Sequence, residues 1–549
     1  MKYNYINPTR ILWESAGDKG TIKNSSALLE DRSPQITIVP KNPCVFEHKG
    51  SVPSILLDFG KELHGGIQIF CWRASGEKGA KIRVRFGESA MEAMSELGGI
   101  SNATNNHALR DLEVALVDMS MTPVGQTGFR FVRIDLLEEG AVLELKAIKA
   151  VLVCKEKPYQ GEFSCNDALL NEIWRTGAYT VHLNMQNYIW DGIKRDRLVW
   201  MGDMHPEIMT IAAVFGPDSI VEESLDFVKE DTPLPGWINN MPTYSMWWII
   251  TQYDWYQYKG DFDYLKKQKE YLIGLCNQLS EHIDEFGKDS TPEHRFVDWP
   301  SSTNPEGVDH GIQALHYLAT QRLGELFLVL QEGEYVLKCE EDLRRLKRFE
   351  TNYRCNKQSA ALLVLAGLQN ADQVNTEVLS RDGAKGFSTF MGYYILQAKA
   401  KAGDIQGALE CIREYYGGML ELGATTFWED FDLAWKENGA RIDELTPEGM
   451  VDIHATYGGY CYQGYRHSLC HGWAGAVTAW MSEHILGIQF AAPGGKQVLI
   501  NPQLGDLTWI EGSYPTQYGV IKVRHEKQED GTIITNILEC PTQVELIQH

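Results

Sequence analysis

What most limits the fold of this chain is helical periodicity that continues, with short interruptions, from residue 167 to residue 486. Apolar residues recur at 3.6-residue spacing in 167–186, 205–214, 218–229, 244–259, 262–284, 308–331, 339–352, 358–367, 373–379, 387–402, 405–419 and 468–486. Asn166 or Asp167 is placed to cap the first segment. About a dozen helices in one domain is what a double ring, an (α/α)6 barrel, requires, and such a ring gathers loops at one end. The alternating apolar strands of a TIM barrel are missing. On either side the period changes. Up to about residue 155, short alternating runs (55–59, 66–72, 81–86, 129–136, 142–153) are separated by turn formers such as those at 75–79. That is the pattern of an antiparallel, jelly-roll-like sandwich. The stretch 91–110 interrupts it as a long loop that either reaches toward a neighbouring site or lies on the surface, with the surface reading favoured. Alternation returns at 495–500, 508–512, 519–525, 533–538 and 544–547, over too few residues to hold a core alone. The expected organisation is a multidomain chain: an N-terminal β-sandwich over 1–158, an (α/α)6 barrel over 159–486 and a small C-terminal β-sandwich over 487–549, packed on the barrel.

Charge and cysteine usage narrow the partners. A formal net charge of −23 argues against nucleic acid or an anionic membrane, because both would repel the chain. The N-terminus shows no basic segment followed by an apolar one, so no signal peptide is expected. No apolar run is long enough to span a bilayer. The eleven cysteines are odd in number and include no CxxC pair, so they read as reduced thiols. Cys154 and Cys165, like Cys461 and Cys470, are spaced too far apart for a zinc ribbon. The expectation is a cytoplasmic protein with no metal.

Reactive side chains concentrate at 188–207, YIWDGIKRDRLVWMGDMHPE. Four carboxylates (Asp191, Asp196, Asp203, Glu207), two arginines, a lysine and two tryptophans fall in twenty residues. Such a set suits a sugar-cleaving site: rings stack on a pyranose, carboxylates accept its hydroxyl protons, and one acid protonates the leaving oxygen. A solvated surface with an i,i+4 pair between Asp191 and Arg195 explains the same composition, and the stretch alone favours it. Asp203, just before His205-Pro206-Glu207, also reads as a helix start. Glu429 follows Trp428 at a loop, where structural and catalytic roles are evenly balanced. His471, in an apolar segment expected to be helical, reads first as a core residue.

Taken in order, several segments resemble glycoside hydrolase family 78, the α-L-rhamnosidases. Leu57-Asp58-Phe59-Gly60 with Arg83-Val84-Arg85-Phe86-Gly87-Glu88 is similar to the family's DFG…RFGE pattern, and Gly128-Phe129-Arg130-Phe131-Val132 to its GFRYV strand. Gly161-Glu162-Phe163-Ser164 resembles the start of its helical domain. Asp191 to Asp203 is similar to DCPQRDERLGWTGD, Gly423-Ala424-Thr425-Thr426-Phe427-Trp428-Glu429 to GATTxWE, and Ser468-Leu469-Cys470-His471 with Gly475-Ala476-Val477 to SxNHxxxGAV. Gly505-Asp506-Leu507-Thr508-Trp509 resembles part of the last domain.

The resemblance implies an (α/α)6 barrel between β-sandwich modules, and an exo-acting hydrolase that releases terminal α-L-rhamnose with inversion. It implies Asp196 as proton donor and Glu429 as general base, separated by roughly 6.5–9.5 Å to admit a water. Asp196 stands where the family has Glu, in a loop one residue shorter. Asp203 is the next candidate for the acid and Glu207 the third. Asp191, Arg195, Asp203 and His471 are implied to hold sugar hydroxyls, and Trp200 and Trp299 to wall the pocket. Tyr244, Trp247 and Trp248, an aromatic run at helix spacing, read as core. The segment between Glu429 and His471 is longer than the family's and is expected to shape the aglycone side. No cofactor is implied, and no loop has the carboxylate spacing of a calcium site. The implied partner is a rhamnosylated small molecule or oligosaccharide, with a homodimer as one option for assembly. Two rivals stay open. One is a phosphorylase or lyase on the same barrel, for which Lys436 and Arg441 would hold phosphate. The other is a non-hydrolytic rhamnose-binding protein.

Overall fold

The computed structural model describes residues 4–15, 20–76, 79–292, 294–460 and 462–548. Glu77 and Lys78 of the turn at 75–79, and Cys461, lie outside them. The N-terminal part is a nine-stranded sheet. Its centre is the long strand Ser54–Ala74, which pairs antiparallel with Ser120–Leu136 on one side and with Val142–Leu152 on the other. Register shifts at Asp58/Leu63 and Gly65/Ile67 mark bulges, which bend so long a strand and let it take Arg10–Glu14 as a further neighbour. Cys44–His48 shows the expected alternation, with every second residue buried. The apolar faces of these strands enclose one core around Phe46, Phe59, Phe86 and Phe129.

The helical body begins with Ala168–Asn184, whose first turn is capped by Asp167 through Leu169 N and Leu170 N. Pro242–Lys259 is buried nearly all round, as its lack of a polar face dictates, and Trp247 and Trp248 lie in its core as the sequence suggested. Several expected boundaries shift. The segment read as 205–214 is the helix Met201–Val214, which begins four residues earlier and carries Pro206 inside it. The segment 468–486 is not one helix. Residues 468–471 are not helical; the turn Gly472–Ala476, the helix Val477–Trp480 and the π turn Met481–Ile485 follow. No helix of the described residues is long and apolar enough to cross a membrane.

The C-terminal strands form two small sheets. Trp509–Thr516, Gly519–Lys527 and Ile533–Glu539 are joined by Glu162–Cys165, which pairs with Trp509–Thr516. The segment read as leading into the helices is therefore an edge strand of the C-terminal sheet. Ile510, Tyr514, Ile521 and Val523 share one apolar cluster with the helices, so this short region completes its core against them.

Candidate active site

Three segments lie side by side at the helical body's junction with the N-terminal sheet. Glu429 N donates to Ser468 O (2.9 Å), His471 N to Phe427 O (3.0 Å) and Thr426 Oγ1 to Leu469 O (2.7 Å). On the other side Gly472 N donates to Asp191 O (2.7 Å), and Gly192 and His471 form a β-bridge. A Cβ at Gly472 would lie 2.1 Å from Glu207 Cδ, so glycine there leaves room for the buried Glu207 side chain. This pairing corrects two expectations. His471 is extended, not helical (φ −133°, ψ 127°), and the 190s form an irregular loop in which Asp191 and Arg195 make no i,i+4 pair.

A cavity of about 320 Å³ opens over these segments, within the roughly 300–1,000 Å³ usual for small-molecule sites. The eight residues implied as catalytic pair, hydroxyl-holding groups and pocket walls all line it: Asp191, Arg195, Asp196, Trp200, Asp203, Trp299, Glu429 and His471. Arg195 is its organising group. Its Nη2 lies 2.5 Å from Glu429 Oε1, its Nη1 is 3.0 Å from Asp196 Oδ1, and its Nε donates to Arg466 O (3.0 Å). One guanidinium thus stands between the two proposed proton-handling carboxylates and touches both. Glu429 Oε2 accepts Ser468 N (3.0 Å), which fixes the carboxylate plane.

The remaining acids are held differently. Asp191 Oδ1 accepts Leu198 N (2.9 Å), and Asp203 Oδ2 accepts Tyr244 Oη (3.2 Å). Burial, reinforced by neighbouring carboxylate charge, raises both well above the ordinary carboxylate range; the Tyr244 hydrogen bond opposes this at Asp203. His471 Nε2 lies 3.9, 3.7 and 3.8 Å from oxygens of Asp191, Asp203 and Glu429. Burial, aided by the charge of Arg195, lowers its pKa to about 3, so the ring is neutral. Asp203 lies in the first turn of the helix Met201–Val214, with Trp200 at the cap position, so it belongs to the helix start as read but is not the capping residue. Glu207 is fully buried beneath Gly472 and does not line the cavity, which removes it as a candidate proton donor.

Aromatic rings wall the hollow. Trp200 meets Tyr244 edge-on (6.1 Å), Tyr244 meets Phe296 (6.2 Å), and Phe296 meets Trp299 (5.0 Å). Trp299 stacks on Tyr460 at 5.7 Å, so the long segment after Glu429 does reach the rim of the cavity. Tyr244, read as core, lines the cavity, as do Met241, Phe296, Arg466, Trp473 and His107, which were not singled out. Trp473 was findable from its place two residues after His471, whereas Arg466 and His107 carried no local signal.

The N-terminal sheet supports the site directly. Lys194 Nζ lies 2.9 Å from Glu88 and 3.3 Å from Glu92, and donates to the carbonyls of Tyr465 (2.9 Å) and His467 (2.6 Å). Glu88 in turn accepts Leu469 N (2.6 Å). Burial raises Glu88 to about 7 against the pull of Lys194. A Cβ at Gly128 would come within 2.8 Å of Lys194 N, so the sheet needs glycine there to admit the loop. Arg130 joins Asp58 (2.9 Å) to Gly423 O (3.1 Å) beneath the segment that carries Glu429. The stretch 91–110 is not confined to the surface: Ala90–Met94 is a short buried helix, and His107 Nδ1 lies 2.9 Å from Asp196 Oδ1.

Two groups of described residues bring metal-ligating atoms together. In Glu88, Glu92 and His454 the ammonium of Lys194 already pairs with both carboxylates, and the His454 nitrogens are taken by Ser89 Oγ and His467 O. In Glu306, His310 and Cys355, His310 Nδ1 accepts Asn352 N (3.4 Å), which leaves the ring proton on the nitrogen that faces Glu306. Neither arrangement is prepared for a cation. Lys436 and Arg441 pair with Glu421 (2.6 Å) and Asp443 (2.9 Å) and do not line the cavity, so they are not placed to hold phosphate there.

Residues 158–376 match the family described as the bacterial alpha-L-rhamnosidase 6 hairpin glycosidase domain, and residues 487–547 the bacterial alpha-L-rhamnosidase C-terminal domain. A curated alpha-L-rhamnosidase of Alteromonas sp. (strain LOR) is 24% identical over 528 residues, which cover 88% of this chain and 54% of that protein. The crystal structure of the GH78 family rhamnosidase of Bacillus sp. GL1 is similar over 95% of this chain and 55% of its own, with a TM-score of 0.75 at 22% identity. The rhamnosidase from Klebsiella oxytoca with rhamnose bound is similar over 88% of this chain and 95% of its own, with a TM-score of 0.66 at 18% identity. At these identities the structural likeness is one of fold. The chain spans about half the length of the Alteromonas and Bacillus proteins.

Proposed function

The chain belongs to glycoside hydrolase family 78, the α-L-rhamnosidases, and from that premise we propose that it hydrolyses terminal α-L-rhamnosides of small glycosides or oligosaccharides with inversion. The observation that carries this reading is Arg195 in contact with both Glu429 and Asp196 across an aromatic-walled, sugar-sized cavity. Glu429 takes a proton from water as the water attacks the anomeric carbon. Asp196 gives a proton to the departing glycosidic oxygen. A guanidinium's width between the two is compatible with the roughly 6.5–9.5 Å that single displacement requires. Asp191, Asp203 and neutral His471 can each donate and accept hydrogen bonds, which suits sugar hydroxyls. Trp200 and Trp299 supply apolar faces for the ring.

The wider reading follows the same premise. The helices form an (α/α)6 barrel over 159–486, the N-terminal strands a jelly-roll-like sandwich over 1–158, and the last strands a small sandwich over 487–549. The substrate is a soluble rhamnoside and needs no cofactor. Charge keeps the chain from nucleic acid and anionic membranes, and the scattered thiols suit the cytoplasm.

The test is turnover of p-nitrophenyl α-L-rhamnoside in phosphate-free buffer, with the first-formed sugar identified by NMR. The expected product is β-L-rhamnose. Glu429→Gln should lower kcat by roughly 10³-fold or more while rhamnose binding persists. Binding of rhamnose without turnover by the unaltered protein would make it a binding protein, and turnover only with phosphate would make it a phosphorylase.

A further inference from the structure

The proposed proton donor is met by two nitrogen-bearing side chains, and both reach the same oxygen. Arg195 Nη1 lies 3.0 Å and His107 Nδ1 2.9 Å from Asp196 Oδ1. Among the described residues, none donates a hydrogen bond to Oδ2. Arg466 Nη2, itself a donor, stands 3.5 Å from His107 Nε2, so the ring carries its proton on Nδ1, toward Asp196. One guanidinium offsets one carboxylate. Glu429 has the shorter bond to it, at 2.5 Å, and a backbone donor besides. Of the two carboxyl groups, Asp196 is therefore the less tightly held by Arg195. With Oδ1 faced by both nitrogens, the proton that the proposed acid transfers has only Oδ2 to occupy.

The backbone is arranged to keep this contact. His107, Asp196 and Arg197 all have left-handed backbones, with φ of 70°, 56° and 55°. Side-chain-bearing residues avoid that region unless surrounding contacts hold them there, and such residues cluster at working sites. Arg197 Nη2 donates to His107 O (2.6 Å), and Tyr465 N to Ser101 O (2.8 Å), so the tip of the loop is tied to both sides of the cavity.

We propose that His107, delivered by the N-terminal sheet, is a positioning residue for the proton donor: by occupying Oδ1 of Asp196 it confines the acidic proton to Oδ2 and makes the N-terminal domain part of the active site. This rests on the reading of Asp196 as the acid. In the step itself the Oδ2–H bond breaks and the proton goes to the glycosidic oxygen. The bonding pair stays on the carboxylate as the C1–O bond opens, and the proton lost by the attacking water goes to Glu429.

The experiment compares two leaving groups in His107→Ala, His107→Asn and Asp196→Asn. Methyl α-L-rhamnoside needs a proton to leave, whereas α-L-rhamnosyl fluoride needs little help. In His107→Ala, kcat should fall about 30-fold on the methyl glycoside and about threefold or less on the fluoride, with KM little changed. His107→Asn, whose amide can donate from nearly the position of Nδ1, should recover most of the loss. An equal fall on both substrates, no fall, or no recovery in His107→Asn would overturn the inference. Asp196→Asn separates its failure from that of the premise. It must show the same selectivity more strongly. If it does while His107→Ala does not, only the role of His107 is lost. If it does not, the acid lies elsewhere and the inference falls with it.

Discussion

Two sets of carboxyl groups meet at this cavity, and they differ in whether a cation accompanies them. Glu429 and Asp196 share Arg195, at 2.5 and 3.0 Å. Asp191 and Asp203 in the wall and Glu207 behind it have no lysine or arginine ion-paired to them among the described residues, and burial raises all three well above the ordinary carboxylate range. The physical reason is the cost of an uncompensated charge away from water, which protonation relieves. On the proposed reading, the difference assigns labour. Groups that must exchange protons are kept near a fixed positive charge. Groups proposed to recognise a sugar are pushed toward the neutral form, in which each can donate as well as accept.

The largest break in that comparison is removal of the shared cation. Arg195→Met leaves two carboxylates facing each other with nothing between them, and kcat/KM on p-nitrophenyl α-L-rhamnoside should fall roughly 10³-fold. Arg195→Lys should recover little, because one ammonium cannot reproduce a planar fork that donates in two fixed directions. Steady-state kinetics of the two variants decide it; full recovery in the lysine variant would show that charge alone matters.

Lys194 offers the same contrast in the structural layer beneath. Its ammonium meets Glu88 and Glu92 inside the junction of sheet and helices. Lys194→Met should cost about 3–5 kcal/mol of stability, read from the urea midpoint, since it strands buried acids. Adding Glu88→Gln should return part of the loss by removing one of them. A single variant as stable as the original would mean that these acids are protonated and need no partner.

How much of this was readable in the chain follows from range. The β–helix–β order and the eight cavity residues were legible because period and motif are local, and Asp191 to Asp203 carries its chemistry within a few residues. His107 and Arg466 were not, since each reaches the cavity through a fold-level meeting of distant segments: His107 lies 89 positions from Asp196, the carboxylate it touches. Glu162–Cys165 was read with the helices for the same reason, because its partner strand lies near the other end of the chain. His471 was read as helical because an apolar run looks alike in a buried helix and a buried extended segment. The Ser54–Ala74 strand shows the converse: two apolar runs with turn formers between them fold as one bulged strand.

Asp203 tests the neutral set from inside the cavity. Asp203→Asn keeps an uncharged, hydrogen-bonding side chain, so the expected loss is about tenfold, mainly in KM and equal for good and poor leaving groups. Measuring both substrates is the check. A loss confined to poor leaving groups would make Asp203 the proton donor and move it into the other set.

The smallest effect, and the sharpest on principle, belongs to Glu207. Neither of its oxygens has a hydrogen-bond partner among the described residues, and burial, with Asp203 and Asp191 adding to it, raises its carboxyl well above 4.5. The folded protein then keeps a proton that the unfolded chain releases. The sign follows from linkage: the contribution to stability is complete below the unfolded value near 4.5 and is lost as pH rises through the folded one. Glu207→Gln is neutral at every pH and escapes that loss. At pH 5 the variant should match the original protein to within about 1 kcal/mol, since one neutral side chain replaces another of similar shape. Its relative stability should then climb with pH, by at most about 1.4 kcal/mol per unit, and level off once the pH passes the folded value. Melting temperatures of both proteins at pH 5, 7 and 9 provide the comparison. If the difference is flat, or if the original protein gains on the variant as pH rises, Glu207 is ionised in the fold, and the division between accompanied and unaccompanied acids fails at its most buried member.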